Sequence, residues 1–312
     1  MSVVREAYLA HGRGQSVNPP ATLLPFADKP NARILALPAH LDGRWRLSGV
    51  KWIASYPDNV CHGIPRASAV LILNDHESGY PFACLEASVI SAARTAASAA
   101  LAADFLTGGR HAHTLGIVGT GFVARYIYRF LTGTAWNIEN VVLYDINPHQ
   151  ARRFASTVCN GQLHASVTVA QDLESAVQSS DLVVFATVAP KPHVHDPSLL
   201  KHRPTILHIS LRDLAPELLL DACNIVDDVD HVMRARTSAH LAETLTGSRA
   251  FVSGTLADVI EGMCPVDRSR PVIFSPFGLG VLDLALGKWV YDQAVEIGEY
   301  CTIGDFFDDL ER

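Results

Sequence analysis

At 312 residues, the chain is too long for one small core and about right for two domains. Its 48% hydrophobic and 18% charged residues are the composition of a folding chain and exclude a disordered one. A net charge of -7 with no run of Lys and Arg would repel phosphate backbones and argues against a nucleic-acid partner.

The opening segment, MSVVREAYLAHGRG, carries charges and glycines where a secretory signal needs an unbroken apolar stretch, and no unbroken apolar run of membrane-spanning length follows. A cytoplasmic protein without a membrane partner is expected. Strand signals then come in succession: ARILALPAHL, SGVKWIASY, RASAVLILND and, after the polar turn HESGY, PFACLEAS. They predict a mainly antiparallel sheet. An Ala-rich stretch from about Leu85 to Leu106, free of Gly and Pro, predicts a buried or interfacial helix, and TGGRHAH ends it. From His113 short apolar strands (TLGIVG, VVLYD, DLVVFATV, TILHIS, NIVDD) alternate with helical material such as ARYIYRFLTG and NPHQARRFA. That alternation is the pattern of a parallel sheet. The expected organisation is therefore an α+β domain over 1–112 and a doubly wound Rossmann domain over 113–287. A last helix crosses back to the first domain over about 288–312.

Six cysteines (Cys61, Cys84, Cys159, Cys223, Cys264, Cys301) lie far apart with no C-x-x-C pair, which suggests neither a disulfide framework nor a zinc site. His193 and His195 in KPHVHDP have a spacing that can put two imidazoles on one side of a strand, but no third ligand is near and the prolines make a loop. No metal is expected.

The strongest motif is Gly119-Thr120-Gly121-Phe122-Val123-Ala124, which follows the strand LGIV and opens a helix. Glycines there allow a tight turn and close backbone approach, while the helix N-terminus offers free N–H groups to a pyrophosphate. The next strand ends in Asp145, placed to accept hydrogen bonds from a ribose 2′-OH and to repel a 2′-phosphate. NAD is expected over NADP. A second signal is the set Arg33, Lys51, Arg66 and Arg94, cations on otherwise apolar elements, which an anionic substrate would pair. Third is HISLRDLAPE, which brings Ser210, expected to touch the cofactor, and Asp213 to the carboxyl edge of a Rossmann strand. By spacing alone Asp213 reads equally as a base or as a helix N-cap. Asp227, Asp228 and Asp230 read as a strand end and loop, and SPFGLGVLD as a glycine-spaced turn into a helix.

Across nearly its whole length the sequence resembles the ornithine cyclodeaminase and mu-crystallin family. GVKWIASYPDN, LILNDHESGYP, ISAARTAASAALAA, GIVGTGFVA and the Asp213 loop carry the resemblance. It implies a first domain that dimerises and binds the substrate carboxylate, followed by a Rossmann domain. It also implies that Lys51 is the active-site lysine, Arg94 the carboxylate-binding arginine, Arg33 its assistant and Asp213 the catalytic aspartate. Relative to the family the chain begins some residues late, for which either a shortened N-terminal element or a different start is expected. Cyclodeaminases carry a Gly-Asp-Cys-Pro-Gly-Lys type loop where this chain has Arg212-Asp213-Leu-Ala-Pro-Glu217, without the lysine. Arg66 stands where they have a small polar residue, which suits a further carboxylate.

NPPATLLPF, RASAVLILND, HISLRDLAPELLL, NIVDDVDHV and FSPFGLGVLDLALGKWVY resemble the branch serving siderophore and peptide antibiotic biosynthesis. That branch oxidises N-(1-amino-1-carboxy-2-ethyl)glutamate with NAD to give 2,3-diaminopropionate and 2-oxoglutarate. In this reading Arg33, Lys51 and Arg94 hold one carboxylate, Arg66 another, and Asp213 activates water or shuttles a proton. Three alternatives share the motifs: ornithine cyclodeaminase, another amino-acid dehydrogenase or imine reductase, and a non-catalytic nicotinamide-nucleotide-binding protein.

Overall fold

The computed structural model describes residues 1–304, 306 and 307; the remainder of the expected C-terminal return, 305 and 308–312, lies outside the described residues. The charged opening forms a helix, α1 (Ser2–Gly12), whose apolar residues Val4, Ala7 and Tyr8 recur at helical spacing and are buried. Six strands follow: β1 (Ser16–Val17), β2 (Thr22–Pro25), β3 (Arg33–Leu41), β4 (Leu47–Ser55), β5 (Ala67–Asp75) and β6 (Pro81–Glu86). They pair antiparallel in the order β1-β3-β4-β5-β6, with β2 also on β3.

Side chains alternate across this sheet. Leu37, Lys51, Leu71 and Leu85 stand in one cross-strand row, so a lysine occupies a position that its neighbours fill with leucine. The opposite face is uncovered and apolar, with Trp52 43% and Val70 40% exposed.

The long Ala-rich helix is α2 (Ser88–Leu106). Leu85 and Glu86, expected to begin it, stay in β6, because Leu85 pairs with Leu71 and the Ala87 N–H continues the ladder to the Ala69 carbonyl. By length and composition α2 could cross a membrane. It is instead mostly buried, its alanines letting α3 (Phe122–Gly133) approach closely.

The second sheet starts with β7 (His111–Val118), and after α3 come β8 (Asn137–Tyr144), α4 (Pro148–Thr157), β9 (Ser166–Val169), α5 (Leu173–Gln178) and β10 (Leu182–Phe185). Then follow β11 (Thr205–His208), α6 (Pro216–Leu220), β12 (Cys223–Val226), α7 (Val229–Val232), α8 (Ser238–Thr246), β13 (Val252–Thr255), α9 (Leu256–Ile260), β14 (Val272–Ser275) and α10 (Gly280–Ile297). All pairs are parallel, in the order β13-β12-β14-β11-β10-β7-β8-β9. The chain reverses direction of growth between β7 and β10, which opens a crevice at their carboxyl ends where such sheets bind ligands. Leu182 and Val184 join one core and Val183 and Phe185 the other, so the sheet is buried on both faces.

The returning helix is α10, and its contacts with the first sheet begin at Gly280. A Cβ there would lie 3.1 Å from that of Ala39, and one at Gly287 would lie 2.1 Å from Leu71 Cδ2. Glycine at these two positions lets the helix lie directly on the inner face of the sheet, over the row that contains Lys51.

Candidate active site

At the carboxyl end of β7 the chain turns through Gly119, whose φ of +87° disfavours any side chain. A Cβ there would also fall 2.7 Å from the Ala186 carbonyl oxygen, so the turn closes against the loop leaving β10. Gly121 caps α3 with no side chain on the helix's first N–H groups, and the space beside it is open. Thr120 donates from its N–H and its hydroxyl to Asp145 Oδ2, both at 2.8 Å, while Asp145 Oδ1 accepts from the Asn147 N–H. The carboxylate thus braces the glycine turn and stays partly exposed at the end of β8. Phe122 is half exposed beside it, Val123 is half-buried, and Ile146 stands 93% exposed. Such exposure of a large apolar side chain beside the crevice is what an aromatic ring would cover. A cradle that a Cβ would fill, an open helix start and a carboxylate on the adjacent strand fit a dinucleotide.

The substrate end is built around a residue that the sequence did not single out. Asp283, in the first turn of α10, is fully buried and accepts from Lys51 Nζ at 2.6 Å through Oδ2 and from Arg94 Nε at 3.2 Å through Oδ1. Ser91, one turn before Arg94 on α2, accepts from Lys51 at 3.1 Å and from Arg94 Nη2 at 3.4 Å. Two cations share one carboxylate, which leaves one positive charge in excess. Burial lowers the pKa of Lys51 to about 8; Asp283 opposes this and Arg94 reinforces it. Gly278 makes room for Arg94, since a Cβ there would lie 2.8 Å from its Nη1 and φ is +97°. Asp227 fixes that glycine by accepting from the N–H groups of Phe277 at 2.9 Å and Gly278 at 2.6 Å. Of the aspartates read as a strand end and loop, Asp227 therefore pins the SPFG loop under Arg94. Asp228 meanwhile caps α7 and pairs with His11 of α1.

Arg33, expected beside Lys51 and Arg94, acts through its charge on Arg66 and Arg212. It pairs with Ser55 at the far end of β3, four residues along the strand from Leu37, the partner of Lys51. That separation is roughly 13 Å at the usual rise per residue. Arg66 donates to the Ser55 hydroxyl at 2.9 Å. Burial and the charge of Arg33 pull its pKa below the ordinary guanidinium value. From the other sheet Arg212 reaches the same region; burial and Arg33 lower its pKa, with Asp213 opposing. Its Nε and Nη2 both donate to the Ala235 carbonyl. Among the described residues none of these three arginines forms an ion pair.

Asp213 lies in the loop after β11 and does not cap a helix; α6 begins beyond it at Pro216 with Ala215 as its cap. Its carboxylate is fully buried. Oδ1 accepts from the Thr187 hydroxyl and from His193 Nε2 at 3.0 Å, and Oδ2 accepts from the Ser210 hydroxyl, with His208 Nε2 at 3.4 Å. Burial alone would raise its pKa, but the bonds from His193, His208 and Ser210 and the proximity of His208 hold it well below the usual carboxylate range. Ser210, expected at the cofactor, is turned toward Asp213. No cluster of three or more metal-ligating side chains occurs among the described residues.

The sequence pattern of the ornithine cyclodeaminase/mu-crystallin family matches residues 1–298. N-((2S)-2-amino-2-carboxyethyl)-L-glutamate dehydrogenase of Staphylococcus aureus is 29% identical over 306 residues, covering 94% of this chain and 89% of its own. The structure of Thermococcus litoralis Delta(1)-pyrroline-2-carboxylate reductase with NADH and L-proline superimposes with a TM-score of 0.88 at 25% identity, covering 97% and 94% of the two chains. That of an archaeal alanine dehydrogenase dimer with bound NAD gives 0.85 at 28% identity, covering 98% and 93%.

Proposed function

This chain belongs to the ornithine cyclodeaminase/mu-crystallin family, and we propose that it oxidises N-(1-amino-1-carboxy-2-ethyl)glutamate with NAD, releasing 2,3-diaminopropionate and 2-oxoglutarate for siderophore or peptide antibiotic biosynthesis. At the coarser level it is a NAD-dependent oxidoreductase acting on the CH–NH bond of an amino acid. The observation that carries the finer reading is the separation of its cations into two groups. Lys51 and Arg94 suit one carboxylate, whereas Arg33, Arg66 and Arg212 suit others some distance away. A substrate with several carboxylates matches both groups; alanine reaches only one, and the distal ammonium of ornithine would be repelled by the second.

In this reading Gly119, Thr120, Gly121, Phe122 and Val123 cradle the pyrophosphate, and Asp145 takes the ribose hydroxyls and disfavours a 2′-phosphate. A nicotinamide held there would supply a hydride acceptor for the α-carbon of the glutamyl part. Lys51 and Arg94 hold the carboxylate beside that carbon, fixing its approach. Arg33, Arg66 and Arg212 take the remaining carboxylates. Asp213, sealed behind its partners, acts by orienting them. The domain division proposed is 1–112 with the helical return for substrate and 113–279 for nucleotide, the return beginning at Gly280 rather than at the expected 288.

We further propose a cytoplasmic homodimer formed through the outer face of the first sheet. The uncovered apolar side chains of Leu24, Trp52 and Val70 support it.

The test is to mix the purified protein with NAD and synthetic substrate, follow NADH absorbance and assay 2-oxoglutarate, with ornithine and alanine in parallel. NADH and 2-oxoglutarate formed together from the tricarboxylate alone are expected. Turnover of alanine or ornithine instead would assign the site to another branch.

A further inference from the structure

Asp213, expected to activate water, has both its carboxylate oxygens occupied in this arrangement. It is fully buried, and its backbone nitrogen lies 3.1 Å from His208 Nε2. Of the groups that bond it, Thr187 and Ser210 are hydroxyls that do not ionise near neutral pH, and His208 is itself fully buried. His193 differs from all three. Its ring is 38% exposed, and because Nε2 points to Asp213 the free Nδ1 is on the other side of the ring.

His193 is also held in place by more than its side chain. Its own N–H and that of Val194 both donate to the Asp213 carbonyl at 2.9 Å, and Val194 bridges to Leu214. The loop that carries it leaves β10 at Ala186, the residue against which Gly119 closes, so it borders the nucleotide turn. Leu211, two residues before Asp213, takes a left-handed φ of +68°, which a leucine adopts only where its surroundings impose it.

We propose that the imidazole of His193, oriented by the buried carboxylate of Asp213, is the proton-transferring group for cleavage of the oxidised C–N bond by water. This rests on the reading that the oxidised substrate is hydrolysed in this site. Water adds to the protonated imine: its oxygen bonds to carbon, the C=N π electrons go to nitrogen, and one water proton passes to His193 Nδ1. As the carbinolamine collapses, the hydroxyl oxygen's electrons form the carbonyl, its proton goes to solvent and the C–N bond breaks. His193 returns its proton to the departing amine. Asp213 is a positioning residue for this step, fixing which ring nitrogen is free and stabilising the imidazolium.

The step can be read without net oxidation. With NAD present, which cannot reduce an imine, the protein should speed exchange of oxygen-18 from water into the keto oxygen of 2-oxoglutarate when 2,3-diaminopropionate is added, followed by mass spectrometry. His193→Ala should lose about a hundredfold or more of this exchange while NADH binding, followed by fluorescence, stays within twofold. Added imidazoles should restore exchange, more strongly as their basicity rises. His193→Ala exchanging within twofold of the unaltered protein, or a loss that no imidazole restores, would overturn the proposal. If the unaltered protein turns over alanine and not the tricarboxylate, the functional reading fails, and the same comparison with pyruvate and ammonia decides the role of His193.

Discussion

Two groups of cations are built on opposite principles. Lys51 and Arg94 are buried and share the carboxylate of Asp283, while Arg33, Arg66 and Arg212 are more open and lean on a serine hydroxyl and a backbone carbonyl. A buried charge must be compensated or it destabilises the fold, whereas a solvated one can wait for a ligand at little cost. In the proposed reading the first group is a rigid clamp for one carboxylate next to the reacting carbon, and the second is a receptive surface that sorts substrates by what they carry at the far end.

The largest expected effect comes from removing the compensation. Asp283→Asn leaves Lys51 and Arg94 buried with no counter-charge, and should lower unfolding free energy by about 3–5 kcal/mol in denaturant titrations. Arg66→Ala should leave stability almost unchanged. Equal losses from the two would contradict the distinction drawn between the groups.

Next in size is a pH effect that separates the groups chemically. With the pKa of Lys51 lowered to about 8, the clamp loses its surplus charge above that pH, while guanidinium groups keep theirs. The kcat/KM profile should fall about tenfold per unit on an alkaline limb beginning near pH 8, and Lys51→Arg should move that limb upward. The stability sign is opposite. Unfolded chain binds the proton up to the ordinary value of 10.5, so between about 8 and 10.5 this lysine adds stability as pH rises.

The smallest effect serves as a control outside both groups. Asp145→Ala should weaken NAD about tenfold and narrow its preference over NADP, since it also releases the Thr120 brace. Binding of carboxylates should not change; calorimetry on both ligand types checks this.

Local signals made much of this architecture legible. The strands of both sheets, the glycine turn and Asp145 announce themselves by periodicity and by the spacing of a single βαβ unit, and Lys51 and Arg94 stood out as cations on apolar elements. Asp283 did not, although an aspartate within GLGVLDLALG is as anomalous as a lysine in a leucine row. Its partner lies 232 residues away, and only the return of α10 brings them together. The place of Arg33 in the chain likewise says nothing of how far along β3 it stands from the partner of Lys51. His193 was weighed as half of a metal pair with His195, whereas the bond that matters joins it to a loop 20 positions onward. The four-residue strands β9 and β13 were too short for an alternation to show.

The central claim, that the second cation group recognises a distal carboxylate, is tested most directly by calorimetric titration of the NADH-bound protein with 2-oxoglutarate and with pyruvate, before and after Arg66→Ala. The account predicts that 2-oxoglutarate binds at least about tenfold more tightly than pyruvate, as expected for one charge-assisted contact, and that Arg66→Ala removes most of this advantage while leaving pyruvate unaffected. Equal affinity for the two acids, or an advantage that survives Arg66→Ala and Arg212→Ala together, would contradict it.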